Sequence, residues 1–146
     1  MSDPVRDPRS DAREFAVQFL YQCESEKLLH FSESHFQSFV SHFQVPDTSV
    51  PLLRDMCRGT LERLVAIDAS LQESSVNWKL SRMAVIDRNV LRLAVYELLE
   101  TAAPTKVVLN EAIELAKKYG SAESGSFVNG LLDKLARTLR PEPKRS

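Results

Sequence analysis

Apolar residues recur at helical intervals along most of the chain. Near the N-terminus, Phe15, Phe19 and Cys23 follow one another every four residues. This spacing places side chains on one face of an α-helix, so we predict a helix from about residue 12 to residue 29, with Asp11 as its N-cap. Nowhere do apolar and polar residues alternate for long enough to predict a β-strand.

The same periodicity predicts several further helices, and their ends carry turn signals. Ser32 or Ser34 can cap the second helix, and Pro46 ends it because proline restricts the residue before it to extended conformations. The later predicted ranges are 50–71, 77–80, 81–102, 106–119 and 123–139. We therefore expect an all-α protein of six or seven helices in two packed groups, with Trp78 wedged between them.

The predicted elements form one domain with short extensions. A chain of 146 residues is long enough for a single domain. We divide it into a polar arm over residues 1–11, a helical domain over 12–140 and a basic tail over 141–146. Within the domain, one group of helices covers residues 12–75 and the other covers residues 76–140.

Composition excludes several classes of protein. Hydrophobic residues make up 43% of the chain and charged residues 27%, which is ordinary for a globular protein. No stretch approaches the roughly 18 apolar residues of a membrane span, and the N-terminus lacks the apolar segment of a secretory signal. Cys23 and Cys57 fall in helical patterns, so we expect buried free thiols in a reducing cytoplasm, with a disulfide or a reactive thiol as the alternative.

Charge is distributed unevenly between the two halves of the chain. The net charge is −1, yet residues 1–75 hold 7 basic and 12 acidic side chains, whereas residues 76–146 hold 12 basic and 8 acidic ones. Basic residues near aromatic ones are typical of proteins that bind single-stranded nucleic acid. Tyr21, Tyr119 and Phe127 are candidate stacking rings, although Phe127 fits a core position equally well and a basic face is often only solvated.

The chemistry-bearing residues form no catalytic constellation. The chain has no glycine-rich phosphate loop and no nucleophile elbow. Glu111 and Glu114 share a helix face, but ion pairs with neighbouring lysines explain them better than acid–base chemistry does. His35 and His42 also share a face and lack a third metal ligand nearby. We predict no catalytic residue, no metal site and no cofactor.

Several sequence blocks resemble the NusB family of bacterial transcription antitermination factors. A shorter block, at residues 12–21, also resembles the family pattern. The main blocks, in the family's order and spacing, are Asn-Trp-Lys-Leu-Ser-Arg-Met at 77–83, Asp-Arg-Asn-Val-Leu-Arg-Leu-Ala-Val-Tyr-Glu-Leu at 87–98, Asn-Glu-Ala-Ile-Glu-Leu-Ala-Lys-Lys-Tyr-Gly at 110–120 and Phe-Val-Asn-Gly-Leu-Leu-Asp at 127–133.

The resemblance implies two three-helix-like bundles and a function of binding without catalysis. Proteins of this family pair with NusE, a small-subunit ribosomal protein, and bind the boxA sequence of nascent single-stranded RNA. They help to form an RNA polymerase antitermination complex, notably on ribosomal RNA operons. The alternative is a non-catalytic RNA-binding domain or scaffold related to the N-terminal domain of ribosomal RNA cytosine methyltransferases. Whether the free protein is a monomer or a homodimer is left open.

Two sets of residues are predicted to make these contacts. An exposed charged strip on the predicted 81–102 helix would bind the protein partner through Asp87, Arg88 and Arg92. One side of an RNA groove would come from the first helix and the arm, and the other from the start of the last helix. The groove residues are Arg6, Arg9, Arg13, Gln18 and Tyr21 on the first side, and Glu123, Phe127 and Asn129 on the second.

The sequence departs from the family pattern in its N-terminal arm. Family members commonly carry an arginine-rich arm, whereas here three arginines alternate with three aspartates, so residues 1–13 have no net charge. RNA affinity from counterion release scales with the number of phosphates neutralised, so this arm should contribute less affinity than a basic one. At Glu123 the family pattern leads us to expect aspartate, and the carboxylate is retained.

Overall fold

The computed structural model describes residues 8–141, and this part of the chain is helical without a strand. The all-α prediction is therefore confirmed. A short 3-10 helix covers Leu80–Arg82. The described α-helices are α1 (Pro8–Ser25), α2 (Glu33–His42), α3 (Val50–Glu62), α4 (Leu64–Ser74), α5 (Val85–Glu100), α6 (Thr105–Tyr119) and α7 (Ala122–Leu139).

The described chain divides into two compact units, residues 8–62 and residues 63–141. In the first unit, α1 packs on α3. The ring of Phe19 meets Phe36 and Phe39 edge-on, with centroid distances of 5.7 and 5.2 Å. Ser32 caps α2 as predicted, since its side chain accepts a hydrogen bond from the backbone N–H of His35.

The second unit contains α4 to α7 around a core of aliphatic side chains. The helices α6 and α7 pack along each other, and α5 lies against α4, α6 and α7. The fully buried residues of this core include Val90, Leu91, Val95, Leu132 and Leu135. Burying such side chains supplies most of the stability of a helical unit.

Several predicted boundaries are wrong; the first helix ends at Ser25 instead of near residue 29, and the predicted 81–102 helix begins at Val85. The first helix begins at Pro8 instead of after Asp11, because proline is well tolerated in the first turn of a helix. The predicted 50–71 helix is two helices, α3 and α4, separated at Arg63, where the chain also passes from one unit to the other. Arg63 leaves the helical conformation, and its guanidinium forms an ion pair with Glu100 at 3.0 Å.

The remaining predictions have mixed outcomes. Cys23 and Cys57 are buried free thiols, as expected, and burial raises the pKa of Cys23 to about 12 and that of Cys57 well above its ordinary value. None of the helices described is both long and apolar enough to cross a membrane. Most of the predicted arm (residues 1–7) and most of the tail (residues 142–146) lie outside the described residues.

Candidate nucleic-acid interface

A pocket of about 270 Å³ opens in the second unit beside the N-terminus of α7. It brings together residues that the sequence placed in two separate sites, namely Glu123 and Phe127 from the RNA groove and Asp87 from the partner strip. The full lining consists of Trp78, Arg82, Met83, Ala84, Asp87, Ser121, Glu123, Ser124 and Phe127.

Asp87 forms the buried polar part of this pocket. The residue is 7% exposed. Burial raises the pKa of its carboxyl above the ordinary value, and a hydrogen bond from Ser124 opposes that rise. Its Oδ1 atom is buried and has no hydrogen-bond partner among the residues that the structure describes.

The wall that carries Trp78 is fixed to the end of α4 by side-chain hydrogen bonds. Ser75 Oγ and Gln72 Nε2 both donate to the carbonyl oxygen of Trp78, at 2.8 and 3.2 Å. The backbone N–H of Leu80 donates to Gln72 Oε1 at 2.8 Å. Trp78 is 57% exposed, which contradicts the prediction of a wedged tryptophan and leaves its ring available to a ligand.

Arg88 supports the neighbouring part of the wall. Its Nη1 atom donates to the carbonyl oxygens of Leu80 and Met83, at 2.9 and 3.0 Å. These bonds fix the 3-10 helix that carries the exposed Arg82. The Arg88 side chain is half-buried and directed at the backbone, so it supports the pocket instead of forming part of an exposed strip.

The predicted exposed strip on α5 is wrong. Arg92 is 5% exposed, and its guanidinium contacts both carboxylate oxygens of Asp68, at 2.8 and 2.9 Å, and Asn89 Oδ1 at 3.1 Å. Residues 89–98 are all buried. The side of α5 that periodicity assigned to solvent is therefore covered, and Arg92 is paired with Asp68 inside the protein.

The N-terminus of α7 forms the opposite side of the pocket. Ser121 caps the helix by accepting a hydrogen bond from the N–H of Ser124 at 3.2 Å. The preceding corner requires glycine, because a Cβ atom at Gly120 would lie 2.5 Å from Ser124 Oγ and 2.8 Å from the carbonyl oxygen of Ala116. In the pocket lining, Glu123 is exposed and Phe127 is half-buried.

Asn129 is exposed on α7 but does not line this pocket. It follows Phe127 by two residues, which places it on a different side of the helix. Asn129 therefore lies apart from Glu123 and Phe127, the other two residues that were predicted on this helix.

The other predicted RNA contacts belong to the first unit. Arg6 lies outside the described residues, and Arg9 is exposed in the first turn of α1. Arg13 is 2% exposed, so its burial removes it from the set of direct RNA contacts. Gln18 is half-buried and Tyr21 is 48% exposed. That these residues line one groove with the start of α7 stays a prediction.

Sequence reasoning did not predict Trp78, Arg82 or Ser124 as residues of this pocket. The sequence did carry a signal for two of them, because the single tryptophan lies in a polar segment and an arginine follows it by four residues. Nothing in the sequence, however, indicated that Asp87 and Ser124 meet, because they lie on different helices.

Comparisons with known proteins agree with the sequence resemblance. The model of the NusB family matches residues 10–137. The chain is 48% identical over 136 residues to the transcription antitermination protein NusB of Anaeromyxobacter dehalogenans strain 2CP-1, which covers 91% of this chain and 93% of the relative.

Solved structures share the fold. T. maritima NusB matches with a TM-score of 0.78 at 38% identity, over 91% of this chain and 93% of the other. A crystal structure of the antitermination factors NusB and NusE in complex with dsRNA matches with a TM-score of 0.80 at 24% identity, over 90% of this chain and 97% of the other. Together with the family match over most of its length, this shows that the chain belongs to the NusB family.

Proposed function

We propose that the protein is a transcription antitermination factor that binds boxA RNA of nascent transcripts, such as those of ribosomal RNA operons, together with NusE. The complex would then promote a termination-resistant RNA polymerase. The relative at 48% identity is an antitermination protein, and a structural neighbour holds NusB and NusE in complex with dsRNA. The observation on this chain that carries the proposal is the pocket beside α7, where an exposed indole and a half-buried phenyl ring line one space.

The pocket offers the groups that single-stranded RNA needs. Trp78 and Phe127 supply ring faces for stacking, which tolerates any base. Arg82 supplies a cation for a phosphate, and the N-terminus of α7 supplies backbone N–H groups and the positive end of a helix dipole. A flexible single strand can reach all three together, because its bases are not held in a stack.

Binding accounts for these residues better than catalysis does. The pocket contains two carboxylates, Asp87 and Glu123, yet none of its lining residues is a histidine or a cysteine. Ser121 and Ser124 serve the helix cap and the Asp87 hydrogen bond. The Ser124 hydroxyl does meet the Asp87 carboxylate, but no histidine or cysteine among the lining residues completes a catalytic set with them.

The charge of the N-terminal arm leads us to expect that a second subunit strengthens RNA binding. Arg6 and Arg9 are interspersed with acidic residues, so the arm attracts RNA weakly. NusE would add a further surface and orient the arm, which lowers the entropy lost on binding RNA. We therefore expect weak boxA binding by the protein alone and tighter binding by the heterodimer.

Fluorescence anisotropy with a labelled boxA RNA tests the proposal, with and without NusE and over a range of salt concentrations. A scrambled RNA of equal length controls for charge, and a boxA duplex controls for strandedness. The heterodimer should prefer single-stranded boxA to both. Equal affinity for boxA and scrambled RNA would contradict antitermination through boxA and favour the general RNA-binding scaffold.

Phe127→Ala separates a stacking role from a core role. If the ring stacks on a base, the variant should bind boxA more weakly by about 1–3 kcal/mol. Thermal unfolding of the same variant is the control, since a core phenylalanine would lower the melting temperature and leave the affinity of the folded protein unchanged.

A further inference from the structure

The Trp78 segment, residues 75–84, joins α4 to α5 and presents most of its side chains to solvent. Val76 is 79% exposed and Trp78 is 57% exposed, and Asn77 and Lys79 are exposed as well. A segment that buries so little side-chain surface gains little from packing to offset the entropy lost when its backbone is fixed. Its conformation therefore depends on the hydrogen bonds that its backbone makes.

The side-chain amide of Gln72, near the end of α4, supplies two of these hydrogen bonds at once. Its Nε2 atom donates to the carbonyl oxygen of Trp78 at 3.2 Å, and its Oε1 atom accepts from the N–H of Leu80 at 2.8 Å. A longer contact of 3.4 Å runs from Nε2 to the carbonyl oxygen of Ser75. The amide thus binds the chain on both sides of Lys79, as the backbone of a neighbouring strand would.

Two further side chains hold the same stretch of backbone. Ser75 Oγ donates to the carbonyl oxygen of Trp78 at 2.8 Å, and Arg88 Nη1 on α5 donates to the carbonyl oxygen of Leu80 at 2.9 Å. Leu80 is therefore fixed through its N–H from α4 and through its C=O from α5. Gln72 contacts both Trp78 and Leu80, and it is exposed, so its replacement leaves the core intact.

We propose that Gln72 is a positioning residue, which holds the Trp78 segment in its RNA-binding conformation before RNA arrives. The proposal rests on the function proposed above and names a residue that controls the rate of RNA binding without contacting the RNA. Because the segment is ordered in advance, the entropy cost of fixing it is not paid in the binding step.

The composition of the Trp78 segment favours RNA over a protein as its ligand. The ten residues include an exposed indole and two exposed cations, Lys79 and Arg82, and they include no acidic residue. Cations that meet phosphates beside a ring that stacks on a base are typical of sites for single-stranded nucleic acid. The conformation that Gln72 holds is thus the one that presents these three groups together.

Gln72→Ala tests the proposal on the full-length protein in complex with NusE. Stopped-flow anisotropy with labelled boxA RNA measures the association rate, and an excess of unlabelled boxA RNA then gives the dissociation rate. The variant should associate about fivefold more slowly, because only molecules with an ordered segment are competent to bind. Its dissociation rate should stay within about twofold of the wild-type rate, since the bound state keeps the same contacts with RNA.

Two further measurements distinguish a local effect on the segment from damage to the fold. Hydrogen exchange at the Leu80 amide should be faster in Gln72→Ala, because this N–H loses its acceptor. The melting temperature should stay within about 2 °C of the wild-type value, as for a surface substitution. Gln37→Ala is the matched control, since Gln37 is also exposed on a helix and donates to Glu33 at 2.9 Å. Both of its rates should equal those of the wild type.

Three results would overturn the proposal. Unchanged association would show that Gln72 does not order the segment for RNA. Faster dissociation with unchanged association would mean that Gln72 contacts the RNA directly. Slower binding of NusE, with unchanged RNA association by the assembled complex, would assign the segment to the protein partner. The proposed function is judged by a different comparison, between boxA and scrambled RNA on the wild-type complex, so its failure is distinguishable from failure of the Gln72 assignment.

Discussion

The guanidinium of Arg92 and the carboxylate of Asp68 form a two-pronged ion pair that joins α5 to α4. Arg92 Nε lies 2.8 Å from Oδ1 of Asp68, and Nη2 lies 2.9 Å from Oδ2. The arginine side chain is 6% exposed and the aspartate side chain 27% exposed. Removing the arginine leaves a partly desolvated carboxylate without its main donor.

Arg92→Ala should therefore lower the free energy of unfolding by about 2–3 kcal/mol, measured by urea denaturation. Asp68 retains some solvent, so the loss should stay below that of a fully buried pair. The affinity of the folded variant for NusE should equal that of the wild type, since Arg92 is not on the surface. A stable variant with weakened NusE binding would restore Arg92 to the partner interface.

Arg140 closes the turn between α5 and α6 from the end of α7. Its guanidinium donates to the carbonyl oxygens at the C-terminus of α5 and in the following turn, and to a threonine hydroxyl. Intrahelical donors run out at the end of a helix, so one arginine supplies donors to several carbonyl oxygens there. The acceptors are the carbonyl oxygens of Glu97, Leu98, Thr101 and Ala103 and the Oγ1 atom of Thr105.

Arg140→Ala should cost about 2–3 kcal/mol of stability, because several acceptors lose a charged donor. Arg137→Ala is the matched control, since Arg137 makes an exposed pair with Asp133 one helical turn away. That pair should contribute less than about 0.5 kcal/mol. Equal melting temperatures for the two variants would show that Arg140 does not close this turn.

Asp87 should make stability depend on pH. Burial raises its pKa in the folded protein, so the folded state binds a proton more readily than the unfolded chain does. The charged form is therefore destabilising at neutral pH, and this penalty is relieved as the pH falls through the raised pKa towards the ordinary range of an aspartate.

Asp87→Asn removes the charge and should raise the melting temperature near neutral pH. The difference between variant and wild type should shrink as the pH falls through the raised pKa and the wild-type carboxyl takes up its proton. Thermal unfolding of both proteins at several pH values shows whether the difference in melting temperature shrinks or grows on acidification. A difference that grows on acidification would mean that the folded protein stabilises the charged form.

Two glycines in neighbouring helical segments should respond oppositely to alanine. A Cβ atom at Gly120 would lie 2.8 Å from a backbone carbonyl oxygen, whereas one at Gly130 would meet nothing within 4 Å. Gly120→Ala should destabilise by about 1–3 kcal/mol through overpacking and displace Ser124 at the edge of the pocket. Gly130→Ala should stabilise α7 by about 0.5–1 kcal/mol. Chemical denaturation of both variants provides the comparison.

Local sequence signals predicted most of the helices and failed where tertiary structure decides. Ser32 was predicted as a cap of α2 from its residue type and position, and it is one. The division at Arg63 was missed because apolar residues continue at helical spacing on both sides, from Leu61 to Ile67. Periodicity records which residues are apolar and does not record where the backbone turns.

The candidate site was predicted only in part, for a related reason. Glu123 and Phe127 came from the family resemblance and lie together in the pocket. Arg92 was assigned to solvent because it is charged, yet a charged residue can be buried when a partner such as Asp68 reaches it. Contacts between different helices follow from the packing of α4, α5 and α7, which the sequence pattern does not contain.

The intrinsic fluorescence of Trp78 tests the central claim most directly. It is the one tryptophan in the sequence, so the whole indole signal comes from the rim of the pocket. A base that stacks on the indole should change its emission as boxA RNA is added to the complex with NusE. The account predicts a saturating change with boxA at lower concentration than with scrambled RNA of equal length. Unchanged emission at RNA concentrations where anisotropy shows saturation would mean that the RNA binds elsewhere on the protein.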